Sequence, residues 1–529
     1  MLREDEYFQD LSQEELWQRY CGFLDLSLGE FMEIQENLLM QEINLVAYSL
    51  LGKKIMGNVK PESVDEFRRL VPLTTYEDYE PYLSEQREDA LAVKPADWCH
   101  SSGRGGEFKW IPYTSDFLEV TARIFISYMI LSAASRKGEV RIKPGERVLM
   151  TVPPRPYASG SLGYYASQVF SVKIIPPLEE GAQMEFQERI QKGFGIALRS
   201  GVDVIASIAS VMVKVGERMS EEAQGIKFSR GILQPKIMFT LARAWLISKL
   251  KKRLMLPKDL WRPKGIITGG TDTSIYKDSL AYYWGKTPFE LYCATEIPAI
   301  AVNNWNKKWL TFVPYSAFWE FIPYEESIKA EEDNSYNPST VLLNELEEGK
   351  LYEVVLSQFY GMPLLRYRMR DIIKVMSLSD DETGVNIPQV VFHTRIGETI
   401  DIAGLTRLTE RVIWESIANT GIKYEDWSAR KEYDHDKTFL HVYIELREEK
   451  KVAELEDLVD KHLRMVDIDY RDIDSYLGLK PIKITLLSRG TFGRYYQEKV
   501  KEGADLAHLK PSHMNAHDSV IQRLLQLSI

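Results

Sequence analysis

Ser101-Ser102-Gly103-Arg104-Gly105-Gly106-Glu107-Phe108-Lys109 runs directly into Trp110-Ile111-Pro112-Tyr113-Thr114. Hydroxyls, glycines and cations follow one another here within a single turn-forming stretch. Glycine lets successive backbone N–H groups face one concave side, and such a nest binds phosphate oxygens, with serine hydroxyls and a basic side chain completing the cradle. The spacing excludes two familiar phosphate loops. A Walker A loop ends in Gly-Lys-Ser/Thr, and a Rossmann fingerprint requires a third glycine where Phe108 stands. The stretch therefore reads as a polyphosphate-binding loop of another kind, against the plainer alternative of a Ser/Gly surface loop.

Composition narrows the function classes. A chain of 529 residues exceeds one ordinary core, so two or more domains are expected. With 44% hydrophobic and 27% charged residues it reads as globular, and a net charge of -11 argues against a nucleic-acid binder, which needs a basic face. Cys21, Cys99 and Cys293 are widely separated, so neither a disulfide framework nor a zinc knuckle is expected. The acidic N-terminus precedes amphipathic sequence rather than an apolar signal region, and no apolar run reaches the ~20 residues of a membrane span. A reducing cytoplasm is the expected compartment.

Outward from the loop, helical spacing of apolar residues covers Leu11 to Leu51 and resumes at Val64 to Leu70. Thr114 to Ala134 reads as a long apolar helix. Arg147 to Val152, Val172 to Ile175, Val202 to Ala206 and Gly265 to Gly269 read as strands, with a helix over Met184 to Leu198. Strands alternating with helices predict an α/β fold with a mostly parallel sheet. Arg155-Pro156-Tyr157-Ala158-Ser159-Gly160-Ser161-Leu162-Gly163 reads as a small-residue loop at a strand's carboxyl end, where open α/β sheets bind ligands. The basic residues within Lys236 to Lys252 make that helix a solvated face, with a membrane-surface role as the alternative. After Arg395 the order helix, strand, strand, helix, strand predicts a small α+β domain of ferredoxin-like type.

Two further stretches carry chemistry. Tyr292-Cys293-Ala294-Thr295-Glu296 ends a strand, and an acid directly after a hydroxyl there suits a Mg2+ ligand beside phosphates. In Arg366-Tyr367-Arg368-Met369-Arg370-Asp371 three arginines precede an acid, which reads either as a surface ion-pair cluster or as an aspartate for ribose hydroxyls with arginines near phosphates.

In their order and spacing, the glycine loop with Ile111-Pro112-Tyr113-Thr114, the Tyr292 to Glu296 phrase and the Tyr367 to Asp371 phrase resemble the three motifs of the adenylate-forming superfamily. Val71-Pro72-Leu73-Thr74-Thr75-Tyr76-Glu77-Asp78-Tyr79-Glu80-Pro81 and Thr268-Gly269-Gly270 resemble the GH3 acyl-acid amido synthetases within it, and are also similar to phenylacetate-CoA ligase-like proteins. The resemblance covers Leu51 to Val375, and the tail more weakly.

The resemblance implies a large N-terminal adenylate-forming domain of mixed sheets and helices, residues 1–394, and a small mobile C-terminal α+β domain, residues 395–529. It implies ATP and Mg2+ as cofactors. By position, Ser101, Ser102, Gly103, Arg104 and Lys109 belong to the phosphate loop. Gly269, Gly270, Tyr292 and Cys293 flank adenine, Thr295 approaches the α-phosphate and Glu296 holds Mg2+. Asp371 binds ribose, with Arg395 near it in the hinge region, and Lys510 stabilises charge during adenylation. Tyr157, Ser159, Gly160 and Gly163 line the acid pocket, and Tyr157, Tyr164 and Tyr165 read either as contacts to a flat, aromatic acid or as packing.

Two positions depart from the family pattern: Arg104 stands where threonine is usual, and Arg370 where glycine is usual. Arg104 can grip phosphate bidentately or fill the space that phosphate needs, and Arg370 can pair with Asp371 and tie up the ribose acid. The implied activity is adenylation of a carboxylic acid to acyl-AMP and pyrophosphate, then acyl transfer to an amino acid or amine. CoA as acceptor and a non-catalytic acid-binding protein are the alternatives. The partners are small molecules, without nucleic acid or a membrane span.

Overall fold

The computed structural model describes residues 3–100, 109–184, 186–222, 235–269, 273–333, 335–396, 399–403, 405–434, 437–448, 451–477, 481–501 and 513–528. They fall into two compact units, one with the described residues up to His393 and one from Thr394 onward.

The first unit opens with helices. Gln13–Cys21 and Leu28–Val46 each begin in a reciprocal cap, Ser12 with Glu15 and Ser27 with Glu30. Strands β1 (Asp97–His100) and β2 (Trp110–Tyr113) pair antiparallel, with His100 opposite Trp110. β1 and β2 therefore flank the glycine stretch in sequence, and the long apolar helix, Ser115–Ala133, starts only after β2. Thr114 caps that helix, accepting the Phe117 N–H at 3.3 Å and donating to the Tyr360 carbonyl at 2.8 Å. Most residues of the helix are buried on every side, as an all-round apolar pattern requires. It lies against the strand Gly265–Gly269 so closely that a Cβ on Gly265 would sit 2.2 Å from Ser132 Oγ.

β3 (Glu146–Met150), β4 (Val172–Ile175), β5 (Val204–Ile208), β6 (Gly265–Gly269), β7 (Phe289–Tyr292), β8 (Ala301–Asn303), β9 (Leu310–Phe312), β10 (Ala317–Pro323), β11 (Leu351–Gln358), β12 (Tyr367–Ser377) and β13 (Gln389–Arg395) form one sheet. Its spatial order is β10-β11-β12-β13-β9-β8-β7-β6-β5-β3-β4. The expectation of a mostly parallel sheet holds only for β4-β3-β5-β6-β7, whose pairs are parallel. The pairs β7-β8, β8-β9, β9-β13, β11-β12 and β10-β11 are antiparallel. The physical reason is connection length: β7, β8 and β9 follow one another too closely for the crossover that parallel strands need.

Residues expected as a ligand loop are instead the start of a helix, Ala158–Val169. Its glycines serve close packing. A Cβ on Gly160 would meet Arg155 N and Pro154 C at 2.2 Å, and one on Gly163 would meet the Met150 side chain at 2.6 Å.

In the second unit β14 (Thr399–Ile402) and β15 (Thr406–Thr409) form a hairpin. β16 (Tyr424–Asp434) pairs antiparallel with β17 (Lys437–Leu446), which pairs parallel with β18 (Ile482–Leu487). The helices Glu410–Asn419 and Val452–Val466 complete an α+β core built on Ile413, Trp427, Val442, Leu455, Val459 and Leu463.

None of the three cysteines forms a disulfide; Cys21 and Cys99 are buried and Cys293 is exposed. Among the described residues no helix is long and apolar enough to cross a membrane.

Candidate active site

The carboxyl ends of the parallel strands bring the motifs together. β6 ends at Gly269, and β7 ends at Tyr292, beside Cys293. A Cβ at Gly269 would approach Cys293 Sγ to 3.2 Å and Leu291 Cδ1 to 3.4 Å, so glycine keeps the end of β6 clear. Beyond β7 the chain turns tightly: Ala294 N–H donates to the Ile297 carbonyl and Ile300 N–H to the Tyr292 carbonyl, both at 3.0 Å. The Tyr113 hydroxyl, from β2, donates to the Thr295 carbonyl at 2.5 Å, and the Gln358 amide donates to the Glu296 carbonyl at 2.8 Å. This turn is thus held from two sides.

Its product is a buried carboxylate. Glu296 is 6% exposed, accepts the Tyr367 hydroxyl at 3.1 Å on Oε1, and makes no ion pair among the described residues. Burying a carboxylate without a cation is costly. A divalent cation sharing its other ligands with phosphate oxygens answers that cost, so the side chain fits the Mg2+ role. Among the described residues no group of three or more His, Cys, Asp or Glu side chains forms a metal cluster. A magnesium ion that binds with substrate phosphates needs only one or two protein carboxylates.

Asp371 lies on β12, 5% exposed, and accepts the Tyr292 hydroxyl on Oδ2 at 2.6 Å. Its orientation comes from a bulge. Arg368 faces Val355 and Ile372 faces Glu353, so the register shifts across 369–371. Arg370 within that bulge has φ +61°, the left-handed region that favours glycine. Here the departure from the family pattern has a physical meaning: an arginine holds a backbone geometry suited to glycine. Its guanidinium forms an ion pair with Glu331.

The two neighbouring arginines are held in ion pairs. Arg366 is buried, bonds Glu320 through Nε at 3.0 Å and through a terminal nitrogen at 2.8 Å, and donates to the Val71 carbonyl at 2.6 Å. Arg368 binds Glu353 bidentately at 2.9 and 2.7 Å. Both neutralise buried carboxylates inside the sheet, and Arg368 also lies 3.6 Å from Glu331, the half-buried acid that pairs with Arg370. Arg366 also fastens the Val71 to Pro81 phrase, which is further tied down where Thr74 N–H donates to the Arg366 carbonyl, Arg368 N–H to the Thr74 carbonyl, and Thr74 Oγ1 to the Leu365 carbonyl. That phrase presents Tyr76, whose hydroxyl accepts the Trp110 N–H at 2.8 Å. Burial pushes the Tyr76 phenol up to about 12, with the Glu296 charge adding to the effect.

Lys109, at the exit of the glycine stretch, places Nζ 5.0 Å from the centre of the Tyr76 ring. On β1 the His100 ring packs on Trp110 and on Tyr157, with centroids 5.0 and 4.6 Å apart. Tyr157 is thus beside the end of β1. Ser159 donates to the Pro153 carbonyl at 3.1 Å, and Tyr164 packs edge-on against Tyr165 beneath the Arg155 guanidinium. Arg395 ends β13 and belongs to the second unit. Ser101, Ser102, Gly103, Arg104, Gly270 and Lys510 lie outside the described residues. Tyr113 and Tyr367 carry no role in the sequence reading, although both stand inside quoted motifs, Tyr113 directly before the helix cap Thr114 and Tyr367 at the start of β12.

The three domain models of one family match the chain in order: the GH3 family N-terminal domain at residues 23–175, the central domain at 310–395 and the C-terminal domain at 409–518. A jasmonoyl-L-amino acid synthetase, GH3.5, of Oryza sativa subsp. japonica is 25% identical over 285 residues, which are 50% of this chain and 47% of the relative, so this chain matches about half of that protein's length. A jasmonoyl-L-amino acid synthetase, JAR4, of Nicotiana attenuata is 21% identical over 516 residues, 86% of each chain. Among solved structures, the AtGH3.15 acyl acid amido synthetase in complex with 2,4-DB superposes with a TM-score of 0.54 at 18% identity, covering 98% of this chain and 97% of its own. Matched successively by the N-terminal, central and C-terminal domain models, the chain belongs to the GH3 family.

Proposed function

We propose that this protein is a ligase that adenylates a carboxylic acid with ATP and passes the acyl group to an amino acid or amine. The observation that carries the reading is Glu296, a buried carboxylate without an ion pair among the described residues, set at the carboxyl end of the parallel strands within the same unit as Asp371 and Lys109. The family relatives bear the names of amino acid synthetases, which favours an amino acid over CoA as acceptor.

An acid's carboxylate must approach the α-phosphate of an ATP that is itself anionic, so the repulsion has to be screened and the line of attack fixed. Bound Mg2+ supplies charge neutralisation at the phosphates. Glu296 is the side chain that holds it, fixed by the Tyr367 hydroxyl. Asp371, fixed by the Tyr292 hydroxyl, accepts from ribose hydroxyls. Lys109 with Ser101, Ser102, Gly103 and Arg104 binds the phosphates, Gly269, Gly270 and Cys293 border the base, and Thr295 borders the α-phosphate. Arg395 and Lys510 act from the C-terminal domain, and Tyr157 stands on the acid side. The acyl-adenylate is a mixed anhydride whose carbonyl an amine attacks, expelling AMP.

The whole reaction is tested by incubating the protein with ATP, Mg2+, a panel of aryl and alkyl acids and the amino acids, and looking for an amide by mass spectrometry. An amide formed with release of AMP supports the reading. A thioester formed with CoA in place of any amide replaces the acceptor, and no product with any pair contradicts the reading.

A further inference from the structure

The amino ends of the parallel strands, opposite the candidate active site, carry a second feature. Arg262 and Lys264 directly precede β6, Arg141 precedes β3, and Lys286 precedes β7. With Lys251 and Lys258 they line an open cavity of about 520 Å3 over Trp261 and Trp284. In a chain of net charge -11, cations are expected to find acids. Arg253 does so with Asp259 at 2.6 Å and Lys264 does so with Glu146, while Arg141 lies 3.9 Å from Glu139. Lys251, Lys258, Arg262 and Lys286 make no ion pair among the described residues. Burial, together with Arg253, pulls the Lys258 ammonium below its usual value, and burial with Arg141 does the same to Lys286. The cavity is therefore a concentration of positive charge that an anion would relieve.

The helix Pro235–Leu250 leads into this cavity, and Ile247 lines it. The inner face of the helix buries Ile237 and Ala244. Its outer face departs from the solvated, charged surface expected from sequence: Phe239, Trp245 and Leu250 are 73%, 58% and 75% exposed, with Met238 and Leu246 beside them. Helical spacing puts Phe239, Leu246 and Leu250 on one stripe. Lys249, Lys251 and Lys252 follow at its carboxyl end.

Large exposed apolar residues next to such cations fit the boundary between lipid headgroups and acyl chains, where aromatic and aliphatic side chains enter the boundary while lysines and arginines meet phosphates. A second copy of the chain fits poorly, because a two-fold contact through this stripe would bring the same cations face to face. A free phosphorylated solute would answer the cavity and leave the apolar stripe without a role. We propose that the helix Pro235–Leu250 and the adjoining cationic cavity dock this protein on a membrane surface that bears anionic phospholipids, with a headgroup phosphate entering the cavity.

The test is flotation of the full-length protein with vesicles of phosphatidylcholine alone or of phosphatidylcholine with phosphatidic acid. Binding is expected only to the anionic vesicles and is expected to fall with added salt. Lys251→Ala with Arg262→Ala is expected to weaken it about 25-fold, at about fivefold per cation. Phe239→Glu with Trp245→Glu is expected to abolish it while leaving circular dichroism unchanged, since both residues are exposed. Wild-type protein that stays unbound, or variants that bind as tightly as wild type, overturn the proposal. So does tight binding of inositol hexakisphosphate without vesicle binding, which assigns the cavity to a free solute. A dimer in sedimentation that Phe239→Glu dissociates, without vesicle binding, overturns it too and assigns the stripe to a second copy.

Discussion

The hydroxyl of Tyr367 donates to Oε1 of Glu296 at 3.1 Å, joining the first residue of β12 to the turn that follows β7. Tyr367 is itself flanked by backbone bonds from Thr74 to the residues on either side, so the Val71 to Pro81 phrase reaches the carboxylate through one tyrosine. Tyr367→Phe removes this hydrogen bond and keeps the ring. A loss of about 1 kcal/mol in stability is expected, together with a higher Mg2+ requirement for ATP-dependent turnover. Turnover titrated against Mg2+ checks it; an unchanged Mg2+ dependence would show that the hydroxyl does not position Glu296.

Arg368 and Glu353 form a bidentate pair whose carboxylate is fully buried. Arg368→Met leaves that charge without its partner, at an expected cost of about 3–5 kcal/mol. Denaturant unfolding measures this. A phosphate-binding arginine would behave in the opposite way, losing ATP affinity with stability intact.

Arg370→Gly separates geometry from charge. The left-handed backbone at φ +61° costs an L residue roughly 1 kcal/mol. The lost Glu331 pair and the greater freedom of glycine in the unfolded chain oppose that gain. Stability is therefore expected to stay within about 1 kcal/mol of wild type, with ATP affinity unchanged in calorimetry. A large fall in ATP affinity would mean that the arginine touches the nucleotide.

Much of this site was legible because its signals are local. Gly269 and the Tyr292 to Glu296 phrase mark strand ends, which can be read without knowing their neighbours, whereas Asp371 lies inside β12. The partners of Arg366 and Arg368 could not be read, since Glu320 and Glu353 stand on other strands and pairing register is not written in any one segment. The same holds for the bulge at Arg370. Glycines at 160 and 163 read as loop because glycine is punctuation in most sequences, whereas here they let a helix approach strand and turn. In Pro235–Leu250 apolar residues surround the helix, so its period did not reveal which of them would face outward.

Glu42 makes the fold sensitive to pH. Burial raises its carboxyl from 4.5 to about 8, only partly offset by the Gly361 N–H that donates to Oε2 at 2.8 Å. Its folded value lies above its unfolded value, so this group's contribution to stability is complete below pH 4.5 and is lost as pH rises toward about 8. The loss is on the order of 4 kcal/mol, at about 1.4 kcal/mol per pH unit. Glu42→Gln cannot ionise and is expected to be more stable than wild type at pH 8, with the difference vanishing or reversing at pH 5. Urea midpoints at the two pH values decide this.

Acid-dependent exchange of labelled pyrophosphate into ATP, compared between wild type and Glu296→Gln over a panel of carboxylic acids, tests the central claim most directly because it needs no acceptor. The expected result is exchange with at least one acid in wild type and a loss of at least about 100-fold in Glu296→Gln, as for removal of a group that stabilises transition-state charge, with the metal-free fold no less stable than wild type. Exchange that survives in Glu296→Gln, or wild-type protein that exchanges with no acid and binds no ATP, would contradict it.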